Sequence, residues 1–325
     1  MKFTIEKHNF QLKAPFIITG YVFEDVDSVR VTLEQDGLIG HGEGIGVYYT
    51  GDTADTIMAQ LELLSETIRA GVSREEIQGM LPSGGARNAL DCAFWDLQLK
   101  QSGKSIWKTL NVEAKPLSSV ATIGIGSPEA MAMAAKGFAQ YPNLKIKLSA
   151  EEPIAKLEAI RAARPDATLI VDVNQGWSFA ELKEYTPAAE KLGIAMIEQP
   201  LARGGDEMLE GYGSSVLLGA DESCLDASEY AEAAKRYDVI NIKLDKCGGL
   251  TEALKIVGLA KRDGKGLMVG NMTGSSLSMA PAYVVGQYCE FVDIDGPLFL
   301  KQDVEHALTY GDGGIVSLPT PALWG

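Results

Sequence analysis

The sequence is short of basic groups and of metal-binding nitrogen and sulfur. Its 325 residues include 29 Lys and Arg against 44 Asp and Glu, a formal net charge of −15. Nucleic acid and anionic membrane surfaces call for a basic face, so this balance argues against both as partners. The only cysteines are Cys92, Cys224, Cys247 and Cys289, with no C-x-x-C spacing, and the only histidines are His8, His41 and His306. No histidine lies near a cysteine in sequence, which argues against zinc. The cysteines read as reduced core thiols of a reducing compartment. No run of about 18 apolar residues occurs, so no membrane span is expected. The opening "MKFTIEKHNFQL" alternates like a strand and lacks a signal-peptide core. What is left is a cytoplasmic globular protein with a small-molecule partner; a homo-oligomer is compatible with all of this.

The first part of the chain reads strand, strand, strand, then helices. Residues 2–12 alternate, and "SVRVTLEQDG" pairs with "LIGHGEGIG" around Asp36-Gly37, a hairpin signal. Residues 53–70 and 84–102 read as helices, the second with an apolar stripe. The G-x-G spacing at 40–46 follows a hairpin rather than a β-α crossover, so it reads as close backbone packing and not a nucleotide loop. Residues 1–110 are therefore expected to form an α+β domain. From about residue 118 apolar strands alternate with helices: "SVATIGIG", "LKIKL", "TLIVDVN", "IAMIEQP", "VLLGADE", "VINIKLD", "GLMVGNM", "FVDIDGP". From the second strand on, their ends recur every 22 to 28 residues. Eight such units are the pattern of an α/β fold of (β/α)8, TIM-like type, here over 111–311, with 312–325 as a tail returning to the first domain.

In such barrels the C-terminal ends of the strands carry the chemistry. Three successive strands end in acids, Asp172, Glu198 and Asp221. Neighbouring strands lie about 4.8 Å apart, so three carboxylates can converge. Singly, each acid could be a helix N-cap or a rim salt bridge. Together, without Cys or His, they favour one hard divalent cation, Mg²⁺. Asn174 and Glu222 are candidate supporting groups.

Lys145 and Lys147 alternate with Leu144, Ile146 and Leu148 on the second strand, and Lys243 ends the sixth. Strands two and six face each other across an eight-stranded mouth. Two amines aimed from opposite walls suit a 1,1-proton transfer that inverts a stereocentre. A lysine is a poor base at its reference pKa of about 10.4. A second ammonium at ~6.5 Å and an effective dielectric of ~20 costs about 2.5 kcal/mol, nearly two pKa units downward. Lys145 would thus stay charged and Lys147 act as base; the alternative is that both snorkel to solvent. Removing a proton beside a carboxylate makes an enediolate, whose charge a divalent cation and Lys145 would stabilise.

With "ARNALDCAFWDLQLKQSGK", "KIK", "DVNQGW", "EQP", "ADES" and "NIKLDKCGGL", the sequence resembles the enolase superfamily, in its muconate-lactonizing-enzyme-like subgroup. That superfamily is known for a Lys or His base with Mg²⁺. The resemblance implies one Mg²⁺ on Asp172, Glu198 and Asp221 and acid/base roles for Lys147 and Lys243. His306 lies beyond the eighth strand, which disfavours the mandelate-racemase-type branch with its late catalytic histidine. "NIKLDKCGGLTEAL" and "DIDGP" are most similar to dipeptide epimerases. There, an Asp-x-Asp at this place, here Asp293 and Asp295, is associated with the substrate's α-ammonium group; a turn pair capping the next segment is the alternative.

In this family the capping-domain loops, here 15–27 and 47–52, read the substrate side chain. A glutamate would want Arg or Lys there. "PFIITGYVFEDVD" has neither, but offers Tyr21, Phe23 and Glu24. An apolar or cationic C-terminal residue is therefore expected. Ser275, with Ser276, could bind a carboxylate or cap a helix. Other activities of the subgroup stay open: N-acyl amino acid racemase, o-succinylbenzoate synthase, cycloisomerase. So does a non-catalytic scaffold.

Overall fold

The computed structural model describes residues 1–325. β1 (Lys2–Ile18), β2 (Tyr21–Gln35) and β3 (Leu38–Ile45) form an antiparallel sheet in that order. Asp36 and Gly37 between β2 and β3 both have positive φ (53° and 78°), as a two-residue hairpin turn of this kind requires. The sheet buries Phe3, Val29, Val31 and Leu33 against helices that follow it. Gly40, Gly42 and Gly44 let the helix Gly85–Ser102 lie directly on β3. A Cβ at any of them would collide with the carbonyl oxygens of Ala93, Ala89 or Gly85. This is the close backbone packing the G-x-G spacing suggested.

The expected helix over 53–70 is two helices, Ala54–Leu63 and Ser65–Gly71. A further helix, Arg74–Met80, was not anticipated, although Ser73 and Glu76 close a capping box at its start.

After β4 (Leu117–Ser118) come eight parallel strands: β5 (Ala121–Ile123), β6 (Asn143–Lys147), β7 (Thr168–Asp172), β8 (Ile194–Glu198), β9 (Leu217–Ala220), β10 (Val239–Lys243), β11 (Gly266–Gly270) and β12 (Phe291–Val292). Each pairs with the next in sequence. The Val120 N–H donates to the Val292 carbonyl at 2.9 Å, which joins the two ends of the ring. The expected barrel is thus present with all eight strands where the pattern put them. β13 (Ile315–Val316) pairs antiparallel with β4. Beyond it, Trp324 Nε1 donates to Cys92 O at 3.0 Å and the Gly325 N–H to Asp96 Oδ1 at 2.8 Å, so the tail lies along the helix Gly85–Ser102. No helix is long and apolar enough to cross a membrane.

Alternation along the strands divides the barrel. Leu144, Ile146, Leu169 and Val171 point outward into the core shared with the surrounding helices. Inward, Val120, Ile170, Met196, Val239 and Met268 make an apolar plug at the N-terminal end. Two residues further along five strands the inward positions are Thr122, Asp172, Glu198, Asn241 and Gly270. The same row includes Lys145 on β6 and Asp293 just past β12. A parallel strand can therefore carry two buried lysines, because one of its faces opens onto this polar layer.

The segment 15–27 is not a loop. It is the end of the β1–β2 hairpin, with Phe16 paired to Phe23 and Ile18 to Tyr21 and a turn at Thr19-Gly20. The hairpin tip reaches over the barrel mouth. Ile125 N–H donates to Ile17 O at 3.1 Å, and Thr19 Oγ1 lies 3.2 Å from both Leu148 O and Val173 O.

Candidate active site

The parallel register sets the acids side by side, with Lys147 opposite Asp172 and Asp172 opposite Glu198. Asp221 follows β9 directly. Ligand oxygens of Asp172, Glu198 and Asp221 all lie within 4.8 Å of one another, and all three residues are fully buried. At that separation and an effective dielectric of ~20, each pair repels by about 3.5 kcal/mol.

Four ammonium groups offset this repulsion. Lys145 Nζ lies 2.8 Å from Glu198 Oε2, 2.8 Å from Asp293 Oδ2 and 3.0 Å from Asp172 Oδ2. Lys147 Nζ donates to the same Asp172 Oδ2 at 2.6 Å and to Asn174 Oδ1 at 3.2 Å. Lys243 Nζ meets Asp221 Oδ2 and Lys246 Nζ meets Asp221 Oδ1, both at 2.7 Å. The three candidate lysines are only 1% (Lys145), 7% (Lys147) and 6% (Lys243) exposed, so none snorkels to solvent. The repulsion between the Lys145 and Lys147 ammoniums does not act alone. Here they share one carboxylate oxygen, an attraction of the same order as their repulsion.

The titration behaviour follows the contacts. Burial alone would raise the Asp172 carboxyl, but Lys147 and Lys145 outweigh it and bring it to about 2. Lys243 and Lys246 likewise override burial and hold Asp221 far below the carboxylate range. Burial pulls Lys145 down, but Asp293, Glu198 and Asp172 hold it well above an ordinary lysine. Glu198 is raised, by burial and then by Asp172. Burial and the neighbouring Asp221 push Glu222 up to about 8, and its Oε2 has no hydrogen-bond partner. The charged groups thus balance, Lys145, Lys147, Lys243 and Lys246 against Asp172, Glu198, Asp221 and Asp293, with Glu222 pushed toward its neutral form.

The converging, all-oxygen, buried donor set fits a hard divalent cation such as Mg²⁺. Two groups that orient these donors escaped the sequence reading. Asn241 Nδ2 donates to Glu198 Oε1 at 2.6 Å, and Lys246 Nζ bonds Asp221 at both its carboxylate and its main-chain oxygen. Asn241 had a signal, since it lies two residues before Lys243 on the same strand face. Lys246 sits in the short helix Leu244–Cys247, where no periodicity marks it.

Lys147, Asn174 and Lys243 line one cleft of about 270 Å³ between the barrel mouth and the capping domain. The capping side supplies Phe16, Ile18, Phe23, Asp25, Asp27, Tyr48 and Asp52, among others. Lys147 and Lys243 are the cleft's only cations. Tyr21 stacks on Phe23 and edges onto Tyr48 without entering the cleft wall. Glu24, by contrast, is exposed and outside the wall; the neighbouring Asp25 and Asp27 line it instead.

Ser275 is not available to a substrate. Its N–H and Oγ donate to the two oxygens of Glu43 at 2.9 and 2.7 Å, and it is fully buried. It binds a carboxylate, but the protein's own. Asp293 accepts from Lys145 and from Asn271 Nδ2 (3.1 Å), while Asp295 accepts the Thr122 N–H at 2.8 Å. Both are buried and stand behind the cleft wall, of which Asn271 forms part.

Residues 1–110 match the family described as Mandelate racemase / muconate lactonizing enzyme, N-terminal domain, and residues 128–320 match Enolase C-terminal domain-like. An N-acetyl-D-glutamate racemase of Pseudoalteromonas sp is 42% identical over 77% of this chain and 79% of its own length. The L-Ala-D/L-Glu epimerase of Escherichia coli (strain K12) is 38% identical over 93% of this chain and 95% of its own. A crystal structure of an enolase family member from Agrobacterium tumefaciens, with homology to dipeptide epimerases and with bound sodium and L-Ala-L-Glu, superposes with a TM-score of 0.96. It is 40% identical, and 99% of each chain is covered. With both of its domains matched and the acid and lysine clusters assembled at the barrel mouth, this chain belongs to the enolase superfamily.

Proposed function

We propose that the protein is a Mg²⁺-dependent dipeptide epimerase, an isomerase that inverts the α-carbon of the C-terminal residue. One observation carries the proposal. Lys147 on β6 and Lys243 on β10, four strands apart in the ring, line the same cleft, and Asp172, Glu198 and Asp221 end the strands between or beside them.

In this reading one lysine takes the α-proton and the other returns one on the opposite face. The divalent cation, held by Asp172, Glu198 and Asp221, would supply positive charge to the carboxylate as the enediolate forms. Lys145, kept charged by its three carboxylates, adds a fixed positive charge to the same layer. Asn241 and Lys246 keep the acids oriented. Asp293 and Asp295 are proposed to hold the dipeptide's α-ammonium group, reached past Asn271, which touches Asp293.

Phe16, Ile18, Phe23 and Tyr48 together with Asp25 support an apolar or cationic side chain on the inverted residue. A second reading, a glutamate side chain, is favoured by what the Pseudoalteromonas, Escherichia coli and Agrobacterium proteins are named for or hold. Exchange of the α-proton in D₂O, followed by NMR with Mg²⁺, separates them. L-Ala-L-Leu, L-Ala-L-Lys, L-Ala-L-Glu and N-acetyl-L-Glu form the panel. Fastest exchange with the Leu or Lys dipeptide supports the first reading. Fastest exchange with L-Ala-L-Glu establishes the second, and preference for N-acetyl-L-Glu removes the ammonium site. No exchange with any of them would sink the epimerase proposal.

A further inference from the structure

A second cleft, of about 730 Å³, lies away from the lysines and acids described above. It runs between the barrel-facing side of the N-terminal sheet and the segment Lys301–His306. All three histidines of the chain line it, with Arg30 and Lys301, in a protein of net charge −15.

The polar groups of this cleft are poorly satisfied. Twelve buried side-chain atoms in the whole protein lack a hydrogen-bond partner. Among them, Glu222 Oε2 and Asn241 Oδ1 are at the active site, and His8 Nε2 and Arg30 Nε are in the wall of this cleft, with Ser28 Oγ buried beside them on β2. His8 and Ser28 are directly opposed on β1 and β2, and Arg30 follows on the same face. Arg30 is flanked across the sheet by Glu6 and Glu43. Yet Glu43 spends both oxygens on Ser275, and Arg30 forms no ion pair with either acid. Asp303, also in the wall, is likewise engaged by Ser276. A guanidinium without an acceptor is costly to hold in a partly buried wall. A fork of unpaired donors is also the geometry that binds an oxyanion in two-point fashion. Phe10, Leu277, Val304 and Leu323 give the same cleft an apolar side.

We propose that this cleft is a second binding site, for a small oxyanion, carboxylate or phosphate, held by Arg30 with Lys301 at the rim. His8 and His41 are both below an ordinary histidine, through burial and then, among other charges, Arg30. They would present neutral rings to the ligand near neutral pH. The proposal concerns binding alone and does not depend on the proposed reaction.

Isothermal titration of the full chain with inorganic phosphate and, separately, glutarate tests it. At least one probe should bind the wild type. Arg30→Gln should weaken that probe about tenfold or more, by loss of charge-assisted hydrogen bonds. Lys301→Gln, on the exposed rim, should weaken it roughly two- to fivefold, and carries the test if Arg30→Gln does not fold. Asp221→Asn, at the other site, should leave it unchanged. Which probe binds identifies the head group. Binding of neither probe, binding indifferent to both Arg30→Gln and Lys301→Gln, or binding lost in Asp221→Asn would overturn the proposal.

Discussion

Lys246 grips Asp221 at two points, its Nζ 2.7 Å from Oδ1 and 2.5 Å from the main-chain oxygen. The same ammonium also holds Cys224 O and Asn241 O, and it is 2% exposed. Replacing it by methionine leaves buried acceptors unpaired and Asp221 with one lysine fewer. Lys246→Met should therefore destabilise the fold by about 3 kcal/mol, read from urea unfolding. It should also weaken Mg²⁺ binding tenfold or more, read by titration of the folded variant.

Lys147 and Lys243 approach one cleft from opposite sides of the ring, so each should serve one enantiomer. Lys147→Ala and Lys243→Ala should each lower epimerisation by about 10²–10⁴-fold. Each should still exchange the α-proton of one enantiomer in D₂O, and the two variants should retain opposite ones. NMR of each pure diastereomer reads this directly. Retention of the same enantiomer by both would rule out the two-sided arrangement.

Thr19 ties the hairpin tip to the ends of β6 and β7, the strands bearing Lys147 and Asp172. Valine keeps the shape and loses the hydroxyl. A hydrogen bond of about 1 kcal/mol corresponds to roughly fivefold in an equilibrium constant. Thr19→Val should raise KM by about that factor and change kcat less, as steady-state kinetics on the best dipeptide will show.

Asp245 joins the two domains, accepting from Ile45 N–H at 2.9 Å and Asn88 Nδ2 at 2.7 Å. Burial pushes its carboxyl up to about 7 from an ordinary 3.8. Between those values the folded chain keeps a proton that the unfolded chain has lost. The resulting stabilisation is complete below about pH 4, declines as pH rises, and is gone above about pH 7. Asp245→Asn keeps an acceptor and cannot titrate. Its urea midpoint should fall less between pH 4 and 7 than that of the wild type.

What could be read from the sequence was what recurs along the chain. Asp172, Glu198, Asp221, Lys147 and Lys243 each end an apolar strand at a regular interval, and the barrel's symmetry then puts them around one mouth. Partnerships between distant segments leave no such trace. Glu43 and Ser275 are 232 residues apart, and nothing near either announces the other. Residues 15–27 looked like a loop because Pro15, Gly20 and a run of acids obscure the alternation. The pairing of Phe16 with Phe23 resumes after a register shift that no local pattern reveals.

Because lysine ammoniums already neutralise the carboxylates of the barrel's polar layer, assembly of that layer does not wait for an ion. Metal uptake and folding are then separate events, unlike zinc fingers, whose ligands cannot come together without their metal. A chelator should silence this protein and lower its melting temperature only by the linkage of one bound ion, leaving the chain folded.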